Sequence, residues 1–113
     1  MLQTTVSEMK IIFDKQNADQ WTVRRSTAAE RVQKLTALRD AIVANSQAII
    51  QAAQQDYDRP ANDEQNQIHA VIFSINHAID NVAKWMEPEE VPSQPGSRAQ
   101  IIYEPKGVVC IMG

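Results

Sequence analysis

The sequence has few of the residues that mark disulfide-rich, collagen-like or membrane proteins. It contains one cysteine and three glycines, and aromatic side chains make up 5% of its 113 residues. A single cysteine, Cys110, excludes an internal disulfide, so a reducing, cytoplasmic setting is expected. No apolar run approaches the roughly 20 residues that a membrane-spanning helix needs. No basic segment followed by an apolar core opens the chain, so no secretory signal peptide is expected.

A strong charge of one sign is also missing. The chain has 11 basic and 14 acidic residues, for a formal net charge of -3, and 43% of its residues are hydrophobic. This balance creates no field that would attract nucleic acid or an anionic membrane. The basic cluster Arg24-Arg25, with Arg31 after it, is typical of a solvated surface with local ion pairs. Neither nucleic acid nor membrane is therefore expected as a partner.

The first residues predict a short helix followed by a loop. Ser7 can cap the helix, and Met9, Ile12 and Phe13 then share one face at i, i+3 and i+4. Residues 16–25 are mostly polar, which favours a loop.

The next segment predicts two amphipathic helices, over about 27–45 and 46–57. Thr27 and Glu30 have the spacing of a capping box, in which each side chain hydrogen-bonds the other residue's backbone amide. Asn45 can end the first helix, and the next residue can cap the second. The apolar face of these helices comprises Ala28, Val32, Leu35, Leu38, Ile42 and Ile49.

A long helix is predicted from a cap at Asn62 or Asp63 to about Met86. It contains neither glycine nor proline, and its apolar residues recur in steps of four and three. These residues are Ile68, Ile72, Ile75, Ile79, Val82 and Met86, with Val71, Ala78 and Trp85 widening the face.

The last 27 residues change in character. Four prolines and glycines over 88–97 predict an extended linker, and 98–103 alternates as a strand does. Pro105-Lys106-Gly107 predicts a turn with Gly107 at positive φ. The run 108–112 is apolar throughout, as in a strand buried on both faces.

These elements predict a mainly α chain with about four helices followed by a short β-hairpin. The predicted division is a helical segment over 1–87, a proline-rich linker over 88–97, and the hairpin over 98–113. The final strand fits two arrangements equally well. It either closes a small α+β domain or opens the first nucleotide-binding loop of a parallel α/β sheet, which would place the chain's end inside a larger fold.

Four groups of residues, taken in chain order, resemble the aldehyde dehydrogenase superfamily. They are the Arg31, Leu35 and Leu38 pattern, the Ile49, Ala52 and Asp56 pattern, the Lys84-Trp85 pair, and the run from Tyr103 to Gly113. In that family a Pro-x-Gly-Val-Val turn and strand precede a Pro-Trp-Asn motif. The short leader and proline-rich linker resemble the branch with coniferyl and fatty aldehyde dehydrogenases.

The resemblance implies an α/β enzyme with a Rossmann-like cofactor domain. Family members oxidise aldehydes to carboxylic acids, with NAD or NADP accepting the hydride. Their catalytic Cys, Glu and Asn follow the segment that this sequence matches, so no catalytic residue is expected in this chain and it should be inactive alone. Met112 and Gly113 match the strand end that borders the cofactor and are the candidate cofactor-binding residues, although the chain alone is not expected to hold NAD or NADP.

The other reactive residues are expected to have no catalytic or metal-binding role. Cys110 lies in an apolar run and is expected to be a buried structural cysteine. His69 and His77 are eight residues apart, whereas a helical metal pair is spaced i, i+4, so no metal site is expected. Glu89-Glu90 is expected in a solvated loop. Trp21 and Trp85 are expected in a core or an interface.

The expected partners are other polypeptide surfaces. Residues 98–104 match the family's small oligomerisation sheet, and bare strand edges recruit further strands. We therefore expect a homo-oligomer formed through 98–112 or through exchanged helices, together with contacts to the remainder of a dehydrogenase. The alternative is a stand-alone helical interaction or oligomerisation module, which the seven-residue spacing of Ala28, Leu35, Ile42 and Ile49 favours.

Overall fold

Among the residues that the structure describes, four α-helices are followed by a two-stranded antiparallel sheet, as the sequence predicts. The computed structural model describes residues 4–57 and 60–111. In chain order the elements are α1 (Val6–Arg24), α2 (Ala28–Ala44), α3 (Ser46–Tyr57), α4 (Ala61–Trp85), β1 (Glu89–Val91) and β2 (Ala99–Ile101). The chain divides into two compact units: a helical unit, Thr27–Glu87, and a hairpin unit, Met1–Ser26 with Pro88–Gly113.

Local sequence signals set the start and end of α2. The Thr27 hydroxyl accepts a hydrogen bond from the Glu30 amide, and the Glu30 carboxylate accepts one from the Thr27 amide, so the predicted capping box is present. At the other end, the Asn45 side chain donates to the Ala41 carbonyl at 2.8 Å. The next helix, α3, begins immediately at Ser46. The two predicted helices are thus confirmed.

The long helix is also confirmed, but its predicted cap is wrong. Pro60 occupies the N-cap position without a side-chain hydrogen bond, and Asn62 and Asp63 lie inside the helix. A proline is tolerated here because the first amides of a helix lack intrahelical partners in any case. Asp63 and the buried Glu64 lie in the first turn, where the helix N-terminus favours negative charge.

The three helices of the helical unit enclose a small core. α2 and α3 each pack against α4 and against one another. Among the described residues, the buried apolar side chains are Ile50, Ile68 and Ile75. Ile49, which the seven-residue spacing placed on the inner face, is 40% exposed, and its neighbour Ile50 is buried instead. The break at Asn45 explains this change, because α3 starts a new helix and so does not continue the face of α2.

In the hairpin unit, α1 is much longer than predicted. The sequence predicts a loop over 16–25, but the helix runs from Val6 to Arg24. Its N-cap is Thr5, which forms a capping box with Glu8. No glycine or proline interrupts 16–25, and the Gln and Arg residues of this segment are good helix formers. The low hydrophobic content of residues 16–25 therefore did not indicate a loop.

The hairpin pairs different strands from those predicted. β1 lies within the segment predicted to be a linker and pairs with β2, Glu89 lying opposite Ile101 and Val91 opposite Ala99. Gly96, at φ 84°, lies in the connecting loop, where the Ser93 hydroxyl donates to the Ser97 carbonyl at 2.8 Å. The apolar residues 108–111 form no strand. A strand of that kind needs partners on its edges, and neither β1 nor β2 pairs with these residues.

Candidate packing surfaces and site residues

The candidate cofactor-binding residues, Met112 and Gly113, lie outside the described residues. Within the described part, the two glycines are Gly96 and Gly107, and each has a positive φ in a loop that no helix follows. A dinucleotide cradle instead places glycines directly before a helix N-terminus, so that backbone amides reach the phosphates. The described residues therefore do not form such a cradle by themselves.

Cys110 is exposed, so its predicted burial in a strand is wrong. Its neighbours Val109 and Ile111 are 67% and 92% exposed. The reason is that residues 108–111 form no strand and pair with neither β1 nor β2. Glu89 and Glu90 are solvent-exposed as expected, but they lie in β1 and not in a loop.

The two histidines do not approach one another or an acidic cluster. Among residues 4–57 and 60–111, no group of three or more His, Cys, Asp or Glu side chains could hold a metal ion. The His77 ring instead packs at a tilted angle against Trp85, with 5.6 Å between ring centroids. The Asn81 amide donates to the His77 carbonyl at 2.8 Å. His77 is thus part of the contacts within the last turns of α4.

An apolar groove opens on the helical unit. It has a volume of about 360 Å³ and is formed by α2 and α4. The lining residues are Leu35, Ala70, Val71, Ser74, Ile75 and Ala78. Ser74 is the one hydroxyl among them, and that hydroxyl already donates to the Ala70 carbonyl at 3.0 Å. The groove therefore presents a surface with little capacity to bind a polar ligand.

A second cleft, of about 220 Å³, lies between α1 and the turn of the hairpin unit. Arg24 forms an ion pair with Glu104 and also lies over the Trp21 ring, 5.5 Å from its centroid. Gly107, at φ 103°, approaches Gln20 so closely that an added Cβ would lie 2.9 Å from the Gln20 Oε1. The positive φ predicted at Gly107 is thus confirmed, and the residue lies close to the Gln20 side chain of α1.

The hairpin has one polar face and one face of mixed character. Glu90 accepts hydrogen bonds from Arg98 and Gln100, and these bonds hold the pKa of the Glu90 carboxyl below its usual range. Residues on the opposite face alternate with these, and they include Ile101, which is 42% exposed. Tyr103 donates to Glu89 at 3.3 Å. Glu89 lies opposite Ile101, so this second face is mixed. An isolated two-stranded hairpin is marginal in water, so the hairpin is suited to a further layer or strand.

Large apolar side chains are exposed in both units. Trp21 and Trp85 are 58% and 50% exposed, and Phe73 reaches 74%. Both tryptophans were expected in a core or an interface, and neither is buried in the chain alone. No helix among the described residues has the length and apolar character that crossing a bilayer requires.

Sequence patterns alone missed two of these features. The groove needs α2 and α4 to be placed side by side, although the small residues at 70, 74 and 78 were visible at a spacing of four. The contact between Gln20 and Gly107 joins positions far apart in the chain and left no local signal.

Comparison with known proteins identifies the family of this chain. The chain matches the aldehyde dehydrogenase family over residues 2–113. It is 32% identical over 116 residues to "Putative aldehyde dehydrogenase AldX" of Bacillus subtilis. This alignment covers all of this chain and 26% of the relative. It is 33% identical to "Probable coniferyl aldehyde dehydrogenase" of Pseudomonas aeruginosa, covering 97% of this chain and 24% of the relative.

A protein of the same name from Caulobacter vibrioides is 27% identical, over 92% of this chain and 23% of the relative. No solved structure gives a significant match. The chain spans about a quarter of the length of the curated relatives that it matches. The family match extends over nearly every residue and agrees with the resemblance found in the sequence patterns, so the chain belongs to the aldehyde dehydrogenase family.

Proposed function

We propose that this chain acts as the helical packing and oligomerisation segment of an NAD(P)-dependent aldehyde dehydrogenase. In the whole enzyme an aldehyde is oxidised to a carboxylic acid and the dinucleotide accepts the hydride. The chain's own contribution is structural: its helices and hairpin cover the rest of the enzyme and its strands pair subunits. A cytoplasmic setting is part of this proposal, since the single cysteine of these 113 residues forms no disulfide within them, which favours a reducing compartment.

One observation carries this proposal. The chain matches its family end to end, yet it corresponds to only about a quarter of each relative. Its apolar groove, the exposed Ile101 of the hairpin and the exposed segment around Cys110 are the kinds of surface that another polypeptide layer covers. Two of the relatives are named for coniferyl aldehyde, so aromatic aldehydes of that type are the first substrates to test.

The test is a chimera in which this chain replaces the matched segment of AldX. We expect the chimera to fold and to oxidise aldehydes in the presence of NAD or NADP, measured by the absorbance of the reduced dinucleotide. The control is the isolated chain, which should show no turnover above a buffer blank. A chimera that is folded but inactive, or an isolated chain that turns over an aldehyde, would contradict the proposal.

The alternative is a stand-alone helical oligomerisation module. The observation that favours it is the presence of a separate core in the helical unit, formed by Ile50, Ile68 and Ile75. A stable oligomer of the isolated chain, together with a chimera that fails to assemble, would support this alternative.

A further inference from the structure

The two halves of α1 differ in how well local signals support them. The first half has its capping box and the i, i+4 ion pair between Lys10 and Asp14. The second half, residues 17–24, includes four residues that form helices less readily than Gln or Arg: Asn17, Asp19, Thr22 and Val23. No residue of α1 is buried. Since most of a helix's stability in proteins comes from packing of one face, the second half needs support from another segment.

That support comes from residues 104–108, here named the strap. Every residue of α1 is exposed except Gln20 and Arg24, which are only partly covered. These two residues are one turn apart and share a face of the helix. Both meet the strap: Arg24 pairs with Glu104, and Gln20 lies beside Gly107. The covered part of α1 is therefore the part that the strap crosses.

The Gln20 side chain is oriented toward the strap from within the helix. Its amide nitrogen donates to the Asn17 carbonyl at 2.9 Å and to the Asn17 side chain at 2.6 Å. Its Oε1 lies 2.9 Å from the place that a Cβ on Gly107 would occupy. A glycine at this position leaves room for so close an approach. The strap thus rests directly on the helix at this point.

Arg24 joins the end of the helix to the strap. Its guanidinium pairs with the Glu104 carboxylate and lies 5.5 Å from the centroid of the Trp21 ring. The Arg24 and Glu104 side chains are 35% and 62% exposed, so water and salt reach the pair and weaken it. Beneath it, a cleft of about 220 Å³ separates the strap from α1. The attachment is therefore polar and open to solvent.

We infer that residues 17–24 and the strap become ordered together, as a conformational switch within the hairpin unit. The attached strap completes the helix, and detachment unwinds its second half. The energy that separates the two states is small, because a partly solvated ion pair and one close backbone contact hold the strap in place. A change in salt that detaches the strap therefore also shortens α1.

The test is hydrogen exchange of the backbone amides of α1 in the full chain, followed by NMR. Glu104→Gln removes the charge that Arg24 pairs with and keeps the shape of the side chain. We expect the amides of residues 20–24 to exchange about twofold to fivefold faster in this variant, which is the range that a partly exposed ion pair supports. The amides of residues 9–13, near the capping box, should keep their rates.

Lys106→Gln is the matched control. It also removes one charge from the strap, at an exposed residue, and it leaves the pair between Arg24 and Glu104 in place. The amides of residues 20–24 should exchange at the same rate as in the unchanged chain.

Salt provides a second, independent measurement. Raising NaCl from about 0.05 M to about 1 M shortens the screening length several-fold and should speed exchange at residues 20–24 in the unchanged chain. The same change should have little effect on these amides in Glu104→Gln, because the pair that salt weakens is already absent. Each protein is compared with itself at constant pH.

Three results would overturn the switch. Unchanged exchange at residues 20–24 in Glu104→Gln would show that α1 supports its own second half. Equal acceleration in Glu104→Gln and Lys106→Gln would assign the effect to the charge of the chain as a whole. Acceleration spread evenly over residues 9–24 would show that α1 opens as one unit, without a separate second half.

Discussion

At the residue scale, two threonine–glutamate pairs cap the N-termini of helices in the same way. Thr5 with Glu8 begins α1, and Thr27 with Glu30 begins α2, each through reciprocal side-chain to backbone hydrogen bonds. The threonine amide, and then its hydroxyl, lower the pKa of each glutamate from its usual value of 4.5. Each carboxylate therefore stabilises the start of its helix more when it is charged.

This arrangement predicts a pH dependence for Glu30. Since its pKa is lowered on folding, its contribution to stability is present above 4.5 and is lost as the pH falls through the lowered pKa. Glu30→Gln keeps an acceptor for the Thr27 amide but cannot titrate. The variant should lose less stability than the unchanged chain between about pH 6 and about pH 3 in urea denaturation. Equal losses in the two proteins would contradict this role.

Removing the cap itself should have a direct effect. Thr27→Ala deletes the acceptor for the Glu30 amide at 3.2 Å and should destabilise the helical unit by about 1 kcal/mol. Thr36→Ala, in the middle of the same helix, is the control and should change the free energy of unfolding much less. A similar cost for both substitutions would show that the cap is unimportant.

Gly107 is the second residue whose identity matters locally. Gly107→Ala should destabilise the hairpin unit by about 1–3 kcal/mol, because φ is 103° and the new methyl group would meet Gln20. Gly96→Ala is the control, since φ is 84° there but nothing lies within 4 Å. Adding Gln20→Ala should recover part of the loss at position 107. The measurement is the urea dependence of Trp21 fluorescence in a Trp85→Phe background, and a double variant no more stable than Gly107→Ala would exclude the contact.

At the scale of elements, α4 organises the helical unit. Both α2 and α3 pack on it, and two of the three buried apolar side chains, Ile68 and Ile75, belong to it. The apolar period of this helix predicted both residues correctly. It also predicted Val71 on the same face, and that residue is exposed because it lies at the rim of the open groove.

Two substitutions in α4 should separate buried from exposed apolar residues. Ile75→Ala should reduce the free energy of unfolding by about 2–3 kcal/mol, since it removes buried methylene groups and leaves a cavity. Phe73→Ala deletes a larger side chain that is 74% exposed and should change stability by less than about 0.5 kcal/mol. Thermal denaturation followed by circular dichroism measures both, and a larger effect at position 73 would be inconsistent with this packing.

At the scale of the whole molecule, the two units leave apolar surface uncovered. In the hairpin unit this surface includes Ile101, on the face opposite Glu90 and Gln100. The unpaired outer edge of β2 adds hydrogen-bonding groups to it, and such edges pair with further strands. The proposed oligomerisation role follows from this combination.

Ile101→Lys tests that role. The charge added at this exposed position should abolish self-association of the chain, measured by sedimentation velocity over a range of concentrations. Gln100→Lys places the same charge on the polar face of the same strand and should leave association unchanged. A chain that is monomeric before any substitution would refute oligomerisation through the hairpin.

The sequence by itself determined the helices whose signals are local. The capping box at Thr27, the stop at Asn45 and the period of α4 each depend on residues within a few turns, so α2, α3 and α4 could be predicted. The family could be recognised for a related reason, because its motifs are short and occur in a fixed order. The same local reasoning failed at α1, where polar composition concealed a helix-forming segment.

Only the tertiary structure decided which strands pair and what stays exposed. β1 and β2 meet because the loop between them closes, whereas residues 108–111 have no described partner, so Cys110 is exposed despite its apolar neighbours. The groove on α4 likewise requires α2 beside it. Strand pairing and burial depend on contacts between residues distant in the chain, and local patterns carry no information about which distant partner is present.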